Sequence, residues 1–400
     1  MFARRKIYGM MMIGAMLLAG CSHDGVDDEI LTDPTATEGT PVPISFDCIP
    51  YNYYENGSDN GASDNENNTT RAVIGYTGAM DSEDIYYTGF GVFASVTATT
   101  DKKPDMMYNQ EVAFTFVGDM ANPLEGFWSY QPLKYWPNDL SRTDFFISAY
   151  APYQTAPVSA TSDDTGIIGI SGNTAEPSIT FRRCEKAEEC VDLLWYYEKP
   201  SSIPTAGKLR MQMRHALARL EISVKAQAAP ASGTKVLIEE ITLTGQMAKT
   251  GTLHLYEQTT EGSGNSTKYY PVWSDQTYDS PTNRTITISN DDENTTCYCL
   301  IDENVRYIAG LPYSWQPAGL STTAKNALST IDRKTYVYLI PQASLSLMAE
   351  VKYKKMDASG NIVSGTKKTV LENTTTDSPI VISPLRGNTT YKLNLNLRDL

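Results

Sequence analysis

Apolar and polar positions along much of the chain alternate with the period of two that β-strands show. In residues 346–354, four side chains that can line a buried face alternate with four that point the other way. The first set is Leu347, Ala349, Val351 and Tyr353. Residues 144–150, 284–289 and 335–340 are also rich in β-branched or aromatic residues, and turn residues separate these runs. The pattern predicts an all-β fold built of β-sandwiches.

Helical signal is scarce, and one segment is ambiguous. Residues 322–331 (TTAKNALSTI) predict one short helix. Residues 211–224 (MQMRHALARLEISV) have helical propensity in their first half but alternate at their end, and we interpret them as mainly strand with a local break. The Ala-, Pro-, Gly- and Ser-rich stretch at 225–235 favours a domain boundary. We therefore expect one β-sandwich domain over residues 72–228 and a second over residues 229–400.

A strand and a polar loop precede the first predicted domain. In residues 42–51, Ile44, Phe46 and Cys48 point one way and the residues between them point the other, as in a strand with one buried face. Residues 55–70 then contain no large apolar residue. Such a tract buries too little surface to offset its ordering entropy, and exposed loops of this kind are where proteases cut.

The polar loop ends at the first basic residue after the N-terminal segment. No Lys or Arg lies between Cys21 and Arg71, and the next basic residue is Lys102. An Arg-specific or trypsin-like protease would therefore make a single cut in this region, between Arg71 and Ala72. The alternative is a solvated loop that ends in Arg without being processed, and composition alone leaves both interpretations open.

The N-terminus predicts export and lipid attachment. A basic start, an apolar run and small residues before Cys21 form a secretory signal that is too short to span a membrane stably. LLAGC also resembles a bacterial lipobox, which implies removal of residues 1–20 as a lipoprotein signal peptide and acylation of Cys21, for example with palmitate. Residues 21–71 then form an acidic pro-segment. Its SHDGVDDE stretch resembles the surface-export signal of Bacteroidota lipoproteins, and a solvated acidic linker is the alternative.

Charge and motif content exclude several classes of function. The formal net charge is −14, and loss of the signal removes three basic residues and no acidic ones, which argues against nucleic acid as a partner. The three His residues are far apart in sequence. There is no nucleophile elbow, phosphate-binding Gly loop or HExxH motif. We expect no enzyme activity, no cofactor and no metal site, and we interpret His215 as structural.

Two further groups of residues allow a functional or a structural interpretation. Of the six Cys, Cys184 and Cys190 are the best disulfide candidates because a short loop separates them, whereas the pairing of Cys48, Cys297 and Cys299 stays open. Residues 126–137 (GFWSYQPLKYWP) include Trp128, Tyr130, Tyr135 and Trp136, whose rings offer flat faces. These rings form either a flat platform for carbohydrate or part of the packing of a sandwich.

Several short motifs, in this order, resemble the fimbrillin family of Bacteroidota, the subunits of type V pili and related Mfa-like lipoproteins. They follow the lipobox and run to the last strand-like segment. The motifs are PISF, TRA, GFGVFA, KYWP, DFFISAYAP, MRHALARLEISV, LIPQ and GNTTYKLNLNL. Together they cover most of the mature chain.

The resemblance implies a lipoprotein precursor with two tandem β-sandwich domains of transthyretin-like or Greek-key type. It also implies that an Arg-specific protease cuts the loop after the first strand, here at Arg71, and releases that strand. A strand from another subunit then fills the exposed groove by β-strand addition. On this basis we expect an adhesive fimbrium at the cell surface, derived from an outer-membrane lipoprotein, with a receptor on a host or bacterial surface as a further partner.

The last strand-like segment bears on the position of the subunit in a fimbrium. In residues 391–397, apolar residues at every second position predict a strand with one buried face. Because little sequence follows it, we expect an accepting subunit at a tip or in an accessory position, unless this segment is itself the donor strand. A rival function from another class is a surface-anchored glycan-binding lipoprotein of a polysaccharide-uptake system, which the abundance of Tyr and Trp suggests.

Overall fold

The structure is a computed structural model, and it describes part of the chain. The described residues are 41–50, 54–55, 82–96, 102–117, 126–138, 140, 145–157, 165–173, 175–185, 190–226, 235–278, 285–289, 291–292, 295–296, 299–301, 307–308, 336–357, 359, 361–371 and 380–397.

The described residues are predominantly β-structure, as the alternating pattern predicts. The strands of the first half are β1 (Ser45–Pro50), β2 (Tyr54–Glu55), β3 (Phe90–Ser95), β4 (Met107–Phe116), β5 (Gly126–Ser129), β6 (Phe146–Ala151), β7 (Gly166–Ser171), β8 (Ser178–Arg182), β9 (Leu194–Glu198), β10 (Lys208–His215) and β11 (Ala218–Ala226). Those of the second half are β12 (Lys235–Gly245), β13 (Thr250–Glu261), β14 (Lys268–Thr277), β15 (Thr285–Ser289), β16 (Asp291–Asp292), β17 (Thr295–Thr296), β18 (Cys299–Ile301), β19 (Tyr307–Ile308), β20 (Tyr336–Leu339), β21 (Leu345–Met356), β22 (Ile362–Leu371), β23 (Ile380–Ile382) and β24 (Thr389–Leu397).

Helical structure is short within the described part of the chain. It includes α1 (Ser82–Thr88) and two 3-10 turns, Thr205–Gly207 and Gly264–Ser266. Sequence reasoning missed α1, which carries the fully buried Ile85. The helix predicted at residues 322–331 lies outside the described residues.

Four larger sheets and one two-stranded ribbon organise these strands. A seven-stranded sheet has the order β1-β10-β9-β6-β3-β4-β5, and a four-stranded sheet has the order β14-β13-β8-β7. A five-stranded sheet contains β19-β11-β24-β2, with β20 also paired to β11. A six-stranded sheet contains β15-β12-β21-β22, with β18 on β12 and β23 on β21, and β16 pairs with β17.

The ambiguous segment at residues 211–224 is strand with a break, as predicted. β10 ends at His215 and β11 begins at Ala218, so the chain passes there from the seven-stranded to the five-stranded sheet. Ala216 and Leu217, which connect the two strands, are both fully buried. The helical propensity of the segment is therefore overridden by pairing and burial in two sheets.

The described residues, which begin at 41 and end at 397, belong to one compact unit. Within it, β8 pairs antiparallel with β13, so the four-stranded sheet takes strands from both sides of residue 228. Residues 227–234, around the predicted boundary, lie outside the described part of the chain. The division into domains at residues 72–228 and 229–400 stays a prediction.

Three clusters of buried side chains form the core. The first joins the five- and six-stranded sheets and includes Leu220, Ile241, Leu347 and Leu393. The second lies against the seven-stranded sheet and includes Phe46, Phe90, Ile147 and Met211. The third includes Phe93 and Trp195 of the seven-stranded sheet together with Ile179 and Leu253 of the four-stranded sheet. Among the described residues, no helix is long and apolar enough to cross a membrane.

Candidate functional site

The candidate site is the first strand, β1, and the groove that it fills. β1 lies at one end of the seven-stranded sheet and pairs in parallel with β10, with Phe46 opposite Leu209 and Cys48 opposite Met211. A parallel edge strand has no tight turn to its neighbour, because parallel pairing requires a long connection. Backbone hydrogen bonds to β10 and side-chain burial therefore hold it in place.

One face of β1 is buried, as the alternating pattern predicts. Ile44, Phe46 and Cys48 are 1%, 3% and 1% exposed, whereas Ile49 is 48% exposed. The Phe46 ring meets Phe90 edge-on at 5.8 Å and Tyr130 at 5.4 Å between centroids. Burial of a large apolar side chain stabilises a fold by roughly 1.5–3 kcal/mol. Departure of β1 would thus leave an apolar groove open to water.

Residues 134–136 hydrogen-bond to residues 42–44, which lead into β1, on the side away from β10. The Ile44 N–H donates to the carbonyl of Lys134 at 2.9 Å, and the Trp136 N–H donates to the carbonyl of Val42 at 2.9 Å. Pro43 and Tyr135 form an antiparallel bridge between these two bonds. The KYWP motif at residues 134–137 therefore supplies one wall of the groove.

Two of the aromatic residues proposed for a carbohydrate platform belong to this groove. Tyr130 and Trp136 are 7% and 3% exposed and lie in the same buried cluster as Phe46. The Tyr130 hydroxyl donates to the carbonyl of Ile44 at 2.9 Å. Trp128 is half-buried against the cluster, while Tyr135 is exposed. For Tyr130 and Trp136 the core-packing interpretation is therefore the right one.

Gly207 permits the close approach of the N-terminal segment. It has a φ of 68°, in the left-handed region that favours glycine. A Cβ at this position would lie 2.4 Å from the carbonyl oxygen of Pro43 and 2.7 Å from a Val42 methyl. The Gly207 carbonyl also accepts a hydrogen bond from the Trp136 indole N–H at 2.9 Å. Sequence reasoning missed this residue, because its role depends on a contact distant in sequence.

The polar groups of β1 interact weakly, but its thiol is strongly shielded. Asp47 lies 3.8 Å from the Lys208 ammonium and 3.9 Å from Nε of Arg210, both in exposed positions where such pairs contribute little. Burial first, and the Asp47 carboxylate second, raise the pKa of the Cys48 thiol well above its usual value. Cys48 is a free cysteine in the structure, and it stays a buried, protonated thiol while β1 is in place.

The other predicted site residues lie elsewhere. Cys21, Arg71 and Ala72 are outside the described residues, as is Cys297. Cys184 and Cys190 are joined by a disulfide between β8 and β9, with their Cα atoms 5.1 Å apart.

His215 is 4% exposed, and its Nδ1 lies 2.8 Å from Oδ2 of the fully buried Asp192, a paired arrangement typical of a structural histidine. The part of the chain that the structure describes contains no cluster of His, Cys, Asp and Glu able to hold a metal ion.

A family model matches most of the chain. The model of a family described as fimbrillin-like matches residues 70–399. Among curated proteins, no relative matches the chain.

Solved structures of Bacteroides proteins resemble the chain at low sequence identity. A fimbrial protein from Bacteroides vulgatus is 17% identical, with 78% of this chain and 89% of that chain covered and a TM-score of 0.44. A putative cell adhesion protein from Bacteroides uniformis is 13% identical, with 89% and 94% covered and a TM-score of 0.38. One from Bacteroides ovatus is 12% identical, with 89% and 92% covered and a TM-score of 0.37.

Proposed function

The chain belongs to the fimbrillin-like family, which makes a fimbrial subunit its broad role, and from this premise we propose that protease-triggered strand exchange assembles it into a cell-surface fimbrium. In this proposal a cut after Arg71 releases the segment that contains β1. A strand from another subunit then occupies the groove beside β10. The assembled fimbrium serves in adhesion, with a receptor on a host or bacterial surface.

One observation carries the proposal: a strand at the end of a sheet fills an apolar groove and is followed by the polar tract that leads to Arg71. β1 buries Phe46 and Cys48, and Ile44 directly before it is buried as well, but at the end of the sheet its one neighbour among the described strands is β10. An opened sheet edge beside an opened core favours a replacement strand strongly. The groove is therefore suited to exchange one strand for another.

The charge of the released segment also supports assembly. Residues 22–70 contain eleven acidic residues and no basic ones. Their loss makes the remaining subunit much less negative, which weakens repulsion between subunits, although salt screens much of this effect. We further propose that acylated Cys21 holds the precursor at the outer membrane and cell surface until the cut. Each buried methylene of an acyl chain contributes about 0.8 kcal/mol to such attachment.

The last strand supports an accepting role for the subunit, at a tip or in an accessory position. β24 pairs in parallel with β11 over Arg219–Ala226 and buries Tyr391, Leu393 and Leu395 in the core of its own chain. Donation of β24 to a neighbouring subunit would expose these buried side chains and destabilise the donor. The groove beside β10 is therefore the exchange site that we propose for this chain.

Substitution of Arg71 tests the proposal. We expect Arg71→Ala to give a precursor that folds but is neither cut nor assembled. Arg71→Lys separates the two protease classes, because an Arg-specific enzyme rejects Lys and a trypsin-like enzyme accepts it. Lys102→Ala is the matched control, because Lys102 is the next basic residue. Its side chain is exposed, and it forms ion pairs with Glu176 at 3.3 Å and Glu257 at 3.1 Å, which contribute little to stability at such a position. Polymerisation of Arg71→Ala at the wild-type level would refute the release step.

A further inference from the structure

The N-terminal segment that holds β1 also covers a second sheet. β2 pairs in parallel with β24, with Tyr54 opposite Thr389 and Glu55 opposite Thr390. The Tyr54 N–H donates to the carbonyl of Asn388 at 2.7 Å. Within the described strands, β2 lies at the end of the five-stranded sheet. The segment thus occupies the edges of two sheets, beside β10 and beside β24.

The Tyr54 side chain is recognised by three different groups. Its hydroxyl oxygen accepts a hydrogen bond from the Tyr269 backbone N–H at 3.1 Å. Its ring meets the Tyr270 ring edge-to-face, with centroids 5.7 Å apart. The Lys268 ammonium lies 5.6 Å from the centroid of the Tyr54 ring, within range of a cation–π contact. A backbone donor, an aromatic wall and a cation together suit a phenol ring.

The aromatic wall is fixed by contacts that do not involve Tyr54. The Tyr270 hydroxyl donates to the Glu261 carboxylate at 3.1 Å, and the Arg386 guanidinium lies 5.0 Å from the Tyr270 ring centroid. Arg386 also forms an ion pair with Glu261, and its hydrogen bond to that carboxylate lowers the pKa of Glu261. These contacts can keep the wall in place after Tyr54 has left.

We propose that Lys268, Tyr269, Tyr270 and Asn388 form an aromatic subsite that receives a tyrosine side chain from the strand of another subunit. The inference rests on the proposed function, because the subsite becomes free when the segment ending at Arg71 departs. An incoming strand that follows the path of β1 and then of β2 contacts both sheets. The groove beside β10 would bury its apolar side chains, and the subsite would select for a tyrosine. A Tyr satisfies the ring contacts and the Tyr269 N–H, a Phe satisfies the rings alone, and an aliphatic side chain satisfies neither.

Peptide competition on the full chain, cut by an Arg-specific protease, tests the subsite. A synthetic peptide of residues 42–55 is compared with versions that carry Phe, Leu or Ala in place of Tyr54. Replacement by Ala should weaken binding roughly tenfold to a hundredfold, since an aromatic pair and a hydrogen bond are lost, and replacement by Phe should weaken it roughly threefold to tenfold. A peptide with Ile49→Ala is the matched control, because Ile49 is 48% exposed and its loss should leave binding unchanged.

The outcomes separate this inference from the proposed function. Graded binding in the order Tyr, Phe, then Leu or Ala supports the subsite. Equal binding of all four peptides overturns the subsite while strand exchange stands. Failure of the native peptide to bind overturns strand exchange, and the subsite with it. Hydrogen exchange on the uncut chain gives a second measurement: Tyr54→Phe should speed exchange of the Tyr269 amide, and an unchanged rate would contradict the contact.

Discussion

The first and last described long strands, β1 and β24, are built alike and placed differently. Each pairs in parallel with one of two successive strands, β1 with β10 and β24 with β11, and each buries alternate apolar side chains. β1 lies at the end of its sheet, whereas β24 lies between β11 and β2. If the proposed exchange removes β1 and leaves β24 in place, amphipathic alternation alone does not distinguish the two kinds of strand. In the precursor the two strands differ in position, because β1 lies at a sheet end and β24 is covered by β2.

Removal of β24 is the harshest test of this difference. Deletion of residues 392–400 should destabilise the uncut monomer severely, because loss of a buried Leu such as Leu393 or Leu395 costs about 2–5 kcal/mol, against a typical total of roughly 5–15 kcal/mol. Thermal unfolding measures the effect. Deletion of residues 398–400 alone is the matched control, since it leaves β24 intact. A truncated monomer with an unchanged Tm that fails only to polymerise would identify β24 as a donor strand and end the tip assignment.

Truncation of the buried ring of β1 should affect only the precursor. Phe46→Ala should lower the free energy of unfolding of the uncut chain by about 3–5 kcal/mol, the usual cost of removing a buried Phe. Assembled fimbriae should keep wild-type stability, because the proposed cut removes the segment that contains β1. Ile49→Ala, on the exposed face of the same strand, should stay within about 0.5 kcal/mol of wild type. Fimbriae destabilised by Phe46→Ala would mean that β1 remains in place after assembly.

Loss of the disulfide should destabilise the precursor and the cut subunit equally. Replacement of both Cys184 and Cys190 by Ser should destabilise the precursor by up to roughly 3 kcal/mol, since the bridge closes a short loop in the unfolded chain. The same loss should appear in the cut subunit, because the bridge lies between β8 and β9. Chemical denaturation of both forms measures it. Non-reducing peptide mapping that found both thiols free would reject the bridge.

Local patterns in the sequence predicted local features of the site. The buried face of β1 follows from the alternation of Ile44, Phe46 and Cys48, and the break between β10 and β11 follows from the mixed character of residues 211–224. Both are short-range properties, set by side-chain periodicity and propensity. The all-β class follows in the same way from many such segments.

Features that depend on distant contacts escaped sequence reasoning. β2 is two residues long and has no periodicity of its own, and Tyr54 gains its role from Tyr269 and Asn388. The need for Gly207 arises only when Pro43 is placed against it. Parallel pairing joins strands far apart in the chain, and no local pattern records which strands will pair. Cys21 and Arg71 lie outside the described residues, so their modification stays a proposal.

The N-terminus of the subunit in assembled fimbriae tests the central claim most directly. Mass spectrometry of purified fimbriae, after digestion, identifies the first residue of the subunit. Strand exchange predicts a chain that starts at Ala72 and lacks β1 and Tyr54. A subunit in the fimbriae that still starts at an acylated Cys21 and contains an uncut Arg71 would contradict the account.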